Sequence, residues 1–286
     1  MKARAKINLS LDITEKRPDG YHNIKTIMQT IDLHDNLVID AIGEGIELEC
    51  NSSKVPCDDR NIAYKAAKLF LNKYSCKYGI KHGVKIKIEK NIPVAAGLAG
   101  GSSDAASVLI GMNKLFDCGI SVDELMAVGK LLGADVPYCI KGGTILAEGI
   151  GDILTELPAI PKVYIVLAIP KIHVSTKWVY ENFDFNKVNK RPNIDLLISA
   201  IAEGDIKLLA ENMVNVMETF TADRFSIINK LKKKLISLGA LGSLMSGSGP
   251  AVFGIFADKT SADMAYQEMK CDDCHEDYHL FVTETT

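Results

Sequence analysis

The stretch PVAAGLAGGSSDAAS, residues 93–107, is unusually rich in small residues. Three glycines and three alanines stand ahead of its first two serines. Glycine costs backbone entropy in regular structure, so such a cluster marks a place where the backbone turns or approaches another group closely. VKIKIEK, residues 84–90, alternates strictly and predicts a strand that leads into the stretch. SSDAASVLIGMNKLF, residues 102–116, predicts a buried helix, capped by a serine and with Asp104 in its first turn.

A strand, a small-residue loop and a helix N-terminus in this order are typical of an anion site. Backbone N–H groups converge there, and the helix dipole favours negative charge. Glycine at 97, 100 and 101 lets the backbone close around a polyphosphate, and the hydroxyls of Ser102 and Ser103 could bind phosphate or a magnesium ion. The alternative is a helix start with a flexible loop before it. Neither a Walker A pattern nor a strand-linked G-x-G-x-x-G occurs, so a phosphate loop here has a third design.

Composition indicates an ordinary globular protein. Of its 286 residues, 47% are hydrophobic and 24% are charged, and the formal net charge is −3. No basic block suggests a nucleic-acid or anionic-membrane surface, and no apolar run reaches the roughly 18 residues of a spanning helix. We therefore expect a cytoplasmic protein without a nucleic-acid or membrane partner, either a monomer or a homodimer.

The cysteine pattern does not form a disulfide framework. The seven cysteines are odd in number and scattered, which favours reduced thiols. Near the C-terminus, CDDCHEDYH contains four residues that could supply zinc ligands, namely Cys271, Cys274, His275 and His279. A single C-x-x-C lacks the second, distant ligand pair of common zinc-finger patterns, so surface thiols on a terminal hairpin are the favoured interpretation.

The remaining periodicity outlines the other elements. In the first thirteen residues, apolar side chains alternate with polar ones, which predicts a strand with Lys6 and Asn8 on the face opposite the core. NLVIDAI, residues 36–42, and GIELEC, residues 45–50, predict a hairpin. SVDELMAVGKLLG, residues 121–133, begins with a capping-box pattern.

Three motifs in this order resemble those of the GHMP kinases, a superfamily of small-molecule kinases: AKINLSL at 5–11, PVAAGLAGGSSDAAS at 93–107 and MSGSGPAVF at 245–253. RPDGYHNI at 17–24 and GADVPYC at 133–139 further resemble signatures of the diphosphocytidyl-methylerythritol kinases of the non-mevalonate isoprenoid pathway. The resemblance spans nearly the whole chain.

The resemblance implies an α+β fold with the two-domain GHMP kinase architecture. Its N-terminal half is similar to the second domain of ribosomal protein S5, and its C-terminal half is ferredoxin-like. Prolines at 158 and 161 precede an apolar strand at 163–169. We therefore predict an ATP-binding domain over residues 1–160 and a C-terminal domain over residues 161–286.

The resemblance also implies the reacting groups. Asp135 matches the catalytic base, Lys6 the lysine beside it, and Asn8 a substrate contact. A carboxylate that accepts a hydroxyl proton contributes about a hundredfold to ten-thousandfold in rate, and a nearby ammonium keeps it ionised. From spacing alone, Asp135 could instead start a turn and Lys6 could be a solvated strand residue. The residues implied to enclose the ATP phosphates are Pro93, Val94, Ala95, Ala96, Gly97, Leu98, Ala99, Gly100, Gly101, Ser102 and Ser103, with Ser102 or Ser103 near magnesium.

A second set of residues is implied to bind a substrate that carries cytidine diphosphate. Tyr21 would stack on the cytosine and His22 would hydrogen-bond to it, while Tyr180 would lie on the other side of the ring. Without the resemblance, half-buried packing is the commoner role for these tyrosines. The other substrate-binding residues implied are Thr176 and the second glycine loop, Gly247, Ser248 and Gly249.

The expected activity is transfer of the γ-phosphoryl group of ATP to the 2-hydroxyl of 4-diphosphocytidyl-2-C-methyl-D-erythritol, with magnesium and without a phosphoenzyme. Two alternatives stay open. A GHMP kinase for another small alcohol would need no cytosine site. A non-catalytic ATP-binding regulator would not need Lys6 and Asp135.

Overall fold

The computed structural model describes residues 1–271 and 275–286. Its contacts divide the chain into two compact units. Unit 1 consists of Met1–Ala5, Leu33–Val94 and Ala99–Gly142, and unit 2 consists of Lys6–Asp32, Ala95–Leu98 and Gly143–Thr286. The domain boundary near residue 160 stays a prediction.

Strands and helices alternate irregularly along the chain. The strands are β1 (Lys2–Lys16), β2 (His22–Ile42), β3 (Ile46–Cys50), β4 (Gly83–Glu89), β5 (Thr144–Glu148), β6 (Ile153–Glu156), β7 (Tyr164–Pro170), β8 (Gly242–Met245), β9 (Val252–Phe256) and β10 (Tyr278–Glu284). The α-helices are α1 (Ile62–Tyr78), α2 (Gly100–Leu115), α3 (Val122–Lys130), α4 (Val136–Lys141), α5 (Thr176–Glu181), α6 (Ile194–Glu203), α7 (Ile206–Asn212), α8 (Glu218–Arg224), α9 (Ile227–Ser237) and α10 (Lys259–Lys270). No helix in these ranges is long and apolar enough to cross a membrane.

In unit 1, strand β4 lies between β2 and β3. Residues 36–42 of β2 pair antiparallel with β4, and β3 pairs parallel with the other side of β4. The predicted hairpin of β2 and β3 is therefore wrong. Val84, Ile86 and Ile88 of β4 are buried, so this strand takes the central position, while the short β3 with its exposed glutamates stays at the edge.

The helices of unit 1 cover this sheet around one apolar core. The side chains of Phe70 and Tyr74 from α1 and of Val108 and Met112 from α2 are buried in that core. At the start of α3, Ser121 Oγ accepts a hydrogen bond from Glu124 N at 3.2 Å, which confirms the predicted cap.

The start of α2 differs from the prediction of a serine cap. The helix begins at Gly100 after Ala99, whose φ is +56°, and no side chain caps it. Ser103 lies inside the first turn, and its Oγ donates to the carbonyl of Arg4 at 2.6 Å. The loop geometry places the helix start two residues earlier than the serines indicate.

Unit 2 contains an antiparallel four-stranded sheet in the order β10-β7-β9-β8. Helices α5–α9 connect β7 to β8, and α10 connects β9 to β10. This β-α-β-β-α-β succession, with the fourth strand beside the first, is the ferredoxin-like arrangement. It confirms the expectation for the C-terminal half. Residues 26–29 of β2 pair with β5 in the same unit.

The middle of strand β1, residues 5–11, is buried on both faces. Its apolar residues, such as Ile7 and Leu9, are buried as the alternation predicts. The polar residues between them are buried too, since Lys6 is 5% exposed, Asn8 2% and Ser10 0%. The expectation that this face lies away from the protein interior is therefore wrong.

Candidate active site

Lys6 is held by a side chain of its own strand. Its Nζ donates to Asn8 Oδ1 at 2.6 Å, because alternate residues of β1 project from the same face. Asn8 Nδ2 in turn donates to Thr26 Oγ1 at 2.8 Å, and Thr26 Oγ1 donates to the carbonyl of Ser10 at 2.5 Å. A buried ammonium needs such partners. This chain of bonds fixes where the Lys6 charge lies.

Ser246 connects the same strand to the first glycine loop. Its Oγ donates to the carbonyl of Gly97 at 2.9 Å and accepts from Asn8 N at 3.3 Å. The loop also bonds to unit 2 through its backbone, because Lys6 N donates to Leu98 O at 3.2 Å and Ala251 N donates to Ala96 O at 3.1 Å. Residues 95–98 are therefore held on two sides within unit 2. The sequence analysis did not single out Ser246, although it stands in the third motif.

The second glycine loop is fixed by Asn215, which the sequence analysis also missed. Asn215 Nδ2 donates to the carbonyls of Met245 at 2.8 Å and Gly247 at 2.7 Å. On the other side of the loop, Ser248 Oγ and Thr176 Oγ1 lie 2.8 Å apart. The structure thus brings together Thr176 and Ser248, two of the predicted substrate residues. No sequence pattern marked Asn215, because its partners lie about thirty positions away.

An aromatic cluster surrounds His22. Its ring stacks on Tyr180 with centroids 5.3 Å apart and meets Phe183 edge-on at 6.5 Å. The ring of Phe183 also packs against that of Phe220, with centroids 5.0 Å apart. Burial lowers the pKa of His22, and the nearby charge of Lys16 lowers it further, so the neutral imidazole is favoured. Tyr21 is 63% exposed, so its side chain is accessible from solvent.

The sequence analysis did not anticipate the direct contact of His22 with Tyr180, or the part played by Phe183 and Phe220. Trp178 lies on the same short helix as Tyr180, and Arg224 Cζ is 4.5 Å from the centroid of its ring.

Asp135 stands at the start of α4 in unit 1. Its carbonyl accepts from Cys139 N at 3.0 Å, which begins the helix. Its half-buried carboxylate makes no capping bond among the described residues. Pro137 at the second helical position removes a backbone donor from this turn. The local fold therefore leaves the carboxylate available for another partner.

The predicted ATP residues 93–103 follow β4 and end in the first turn of α2. Ala95 and Ala99 have φ of +57° and +56°, values that glycine adopts at lower cost. Alanine at both positions therefore adopts a backbone conformation that glycine favours. Ser102 is half-buried, whereas Ser103 is 3% exposed and bonded to Arg4.

A buried charge cluster lies at the start of this loop. Lys90 Nζ donates to Asp35 Oδ2 at 2.5 Å and to Asp104 Oδ2 at 2.8 Å. Burial raises the pKa of Asp104 to about 7, opposed by Lys90 and reinforced by Asp35. The sequence analysis placed Asp104 only in the first helical turn and did not predict this cluster.

Two of the four candidate zinc ligands, Cys274 and the side chain of His275, lie outside the described part of the chain. Among the side chains of residues 1–271 and 276–286, no group of three or more His, Cys, Asp or Glu could hold a metal ion.

Comparison with known proteins identifies the family. The model of the GHMP kinase N-terminal domain matches residues 61–143, and that of the GHMP kinase C-terminal domain matches residues 197–275. This chain belongs to the GHMP kinases. The N-terminal match of this GHMP kinase includes the first glycine loop and Asp135, and the C-terminal match includes the second loop.

Several relatives and solved structures match this chain over its whole length. This GHMP kinase is 53% identical over 285 residues to a 4-diphosphocytidyl-2-C-methyl-D-erythritol kinase of Acetivibrio thermocellus. The alignment covers 100% of this chain and 98% of that relative. It is 51% identical to the protein of that name from Clostridium botulinum, with 100% and 99% coverage. A crystal structure of 4-(cytidine 5'-diphospho)-2C-methyl-D-erythritol kinase superposes with a TM-score of 0.84 at 30% identity, covering 100% of this chain and 98% of that one. A homoserine kinase from Cytophaga hutchinsonii shares the fold, with a TM-score of 0.74 at 20% identity. The superposition covers 100% of this chain and 95% of that one.

Proposed function

We propose that this GHMP kinase transfers the γ-phosphoryl group of ATP to the 2-hydroxyl of 4-diphosphocytidyl-2-C-methyl-D-erythritol, a step of the non-mevalonate isoprenoid pathway. The observation that carries the proposal is the 53% identity over the full chain to a kinase named for this substrate. The motifs at 17–24 and 133–139 support the same substrate class, because they stand outside the three motifs shared by all GHMP kinases.

In the proposed reaction, the substrate hydroxyl oxygen attacks the γ-phosphorus in line and ADP leaves. Asp135 accepts the hydroxyl proton, for which its available carboxylate is suited. Lys6 stabilises negative charge on the transferring group. Because the phosphoryl group passes directly to the acceptor, the reaction needs no protein nucleophile.

Asn8 takes a different role in this proposal from the substrate contact that the resemblance implies. Its Oδ1 accepts from Lys6 and its Nδ2 donates to Thr26. Both ends of the amide are therefore engaged within the protein. We propose that Asn8 positions Lys6, which makes the direct contact with the reacting groups.

Residues 93–103 are proposed to bind the ATP phosphates through backbone N–H groups and the N-terminus of α2. Magnesium prefers oxygen ligands and is commonly held by substrate phosphates together with few protein groups. The hydroxyl of Ser102 fits this role, and Ser103 retains lone pairs while its proton is donated to Arg4. Magnesium bound there would neutralise phosphate charge.

The aromatic cluster is proposed to recognise the cytosine. His22 and Tyr180 already stack on each other, so the base would lie against an outer face of this pair rather than between the two rings. The exposed Tyr21 would cover the base from the other side. Thr176, Gly247, Ser248 and Gly249 complete the proposed substrate set. A cytoplasmic location and a monomeric or homodimeric state also belong to the proposal.

The test is direct. The protein is incubated with magnesium, ATP and the diphosphocytidyl substrate, and the product is followed by phosphorus NMR, with Asp135→Asn in parallel. Product from the wild type and a loss of about a hundredfold or more in the variant support the substrate and the base. Turnover of another small alcohol alone would favour a different GHMP kinase activity. ATP binding without any turnover would favour a regulator.

A further inference from the structure

The buried cluster around Lys90 connects three separate elements of unit 1. Asp35 lies in β2, Lys90 directly follows β4, and Asp104 lies in α2. The side chains of Lys90, Asp35 and Asp104 are 6%, 0% and 5% exposed. The burial of all three side chains distinguishes the cluster from the ion pairs of Lys85 on β4, whose side chains are partly or largely exposed.

Asp35 also holds the backbone that leads into the first glycine loop. Its Oδ1 accepts from Asn91 N at 2.6 Å and from Ile92 N at 2.8 Å. Two consecutive amides immediately before Pro93 are thus bonded to one fixed carboxylate. The chain direction at the start of the loop depends on Asp35, and Asp35 is fixed by Lys90.

The far end of the loop meets the same ammonium. A side-chain carbon placed on Gly100, the first residue of α2, would lie 3.3 Å from Lys90 Nζ and 3.0 Å from Ile92 Cγ2. One turn further along α2, Asp104 bonds to Lys90. The residues on both sides of 93–99 are therefore bonded to, or packed against, the same three-residue cluster.

We propose that Asp35, Lys90 and Asp104 are positioning residues that set the spacing between the two ends of the loop 93–99 and so align its amides with the ATP phosphates. The inference rests on the proposed function in one respect, namely that this loop binds ATP. Buried ion pairs add little net stability compared with apolar packing, but they impose a defined geometry. We therefore assign the cluster to positioning the loop rather than to stabilising the fold.

The cluster offers variants with graded effects. Lys90→Met keeps the length of the side chain and removes the charge that joins the carboxylates. Asp35→Asn keeps one oxygen for the two backbone amides, but turns an NH2 group toward the ammonium. Asp104→Asn can keep its oxygen on Lys90 and place its NH2 group where Oδ1 has no hydrogen-bond partner among the described residues. It is the mildest of the three changes to the cluster.

A control outside the cluster lies on β4, the strand that directly precedes Lys90. Lys85 of β4 pairs with Glu49 at 2.6 Å and Glu47 at 3.3 Å, and its side chain is 27% exposed. Lys85→Met removes an equal charge from β4 without touching the loop. It separates the effect of the cluster from that of any lost lysine.

The dissociation constant of a non-hydrolysable ATP analogue with magnesium is measured by calorimetry for all variants, together with KM for ATP and for the diphosphocytidyl substrate. Lys90→Met and Asp35→Asn are expected to weaken analogue binding and raise KM for ATP by about tenfold to a hundredfold, the scale of a small misplacement of binding groups. KM for the second substrate should change by less than about threefold, because positioning by the cluster acts on the ATP loop. Lys85→Met should remain near wild type, and Asp104→Asn should weaken analogue binding less than Lys90→Met does.

Thermal unfolding accompanies each measurement. If Lys90→Met does not fold, Asp35→Asn decides the result. Unchanged analogue affinity in folded Lys90→Met or Asp35→Asn, or equal increases in both KM values, would overturn the positioning role and leave only a structural one. A wild type that binds the analogue but does not phosphorylate the diphosphocytidyl substrate would refute the proposed function, while the analogue affinities would still decide this inference. A wild type that binds no analogue would overturn both.

Discussion

Ser246 Oγ donates to the carbonyl of Gly97 at 2.9 Å, so that within unit 2 the two glycine loops, far apart in sequence, are joined by one hydroxyl. The same oxygen accepts from Asn8 N on β1. Two motifs that carry no catalytic group thus meet the strand that carries Lys6. This relationship leads to the first of four predictions.

Ser246→Ala should destabilise the protein and slow the reaction. It leaves the Gly97 carbonyl without its hydroxyl donor at a site where Ser246 is 0% exposed, which typically costs about 1–3 kcal/mol in the free energy of unfolding. We expect kcat to fall as well, because the backbone N–H of Asn8 loses its acceptor, and Asn8 holds Lys6. Urea unfolding and steady-state kinetics measure both effects.

Ser243→Ala is the matched control for this prediction. Ser243 lies on β8 and donates to the carbonyl of Phe253 at 2.8 Å, away from the loops. It should lower stability without lowering kcat. Equal kcat values for Ser246→Ala and the wild type would show that the bond serves stability alone.

Gly97→Ala should abolish the correct loop conformation. Gly97 has a φ of +81°, and a side-chain carbon there would lie 2.3 Å from the Ser246 carbonyl oxygen. Gly45 has the same φ of +81° with nothing within 4 Å of such a carbon. Gly45→Ala therefore measures the backbone cost alone, about 1–2 kcal/mol. Comparable melting temperatures for the two variants would contradict the steric argument.

Asn8→Ala should lower kcat about tenfold to a hundredfold with little change in KM, because Lys6 loses the oxygen 2.6 Å from its ammonium. Asn36→Ala, at an exposed asparagine of β2, controls for the loss of an amide. A rise in KM for the diphosphocytidyl substrate at unchanged kcat would instead favour the direct substrate contact that the family resemblance implies.

His22 should make stability dependent on pH. Burial, and secondarily Lys16, lower the pKa of His22 below the 6.5 of a free imidazole, so the unfolded chain binds its proton first. Because the unfolded state then holds more protons, the free energy of unfolding decreases as the pH falls below about 6.5 and is fully retained above it. His22→Gln should show a smaller loss between pH 7.5 and pH 5.5 in urea unfolding. An identical pH dependence in the variant would refute this assignment.

Local patterns predicted much of the secondary structure. The alternation of β4 and the cap at Ser121 depend on neighbours within a few residues, and the structure confirms them. The order of three motifs likewise sufficed to predict the fold class. Each of these features is encoded within a short segment.

The errors arose where distant segments compete. The segments 36–42 and 45–50 suggested a hairpin, yet β4 pairs with β2 instead, because its apolar side chains complete the core. Lys6, Asn8 and Ser10 on the polar face of β1 were expected outside the core and are buried. Alternation shows that two faces differ, but not what covers the second one.

The periodicity of the strands and helices, the two glycine loops and the identity of the groups proposed to react can all be identified in the amino-acid sequence. The pairing of the strands, the bond between Asn8 and Lys6, and the contacts of Lys90 with Asp35 and Asp104 are visible only in the folded chain. Strand and helix periods follow from backbone geometry and are visible within a few residues. The Lys90 contacts span 55 and 14 positions and form only when packing excludes water and forces each buried charge to find a partner.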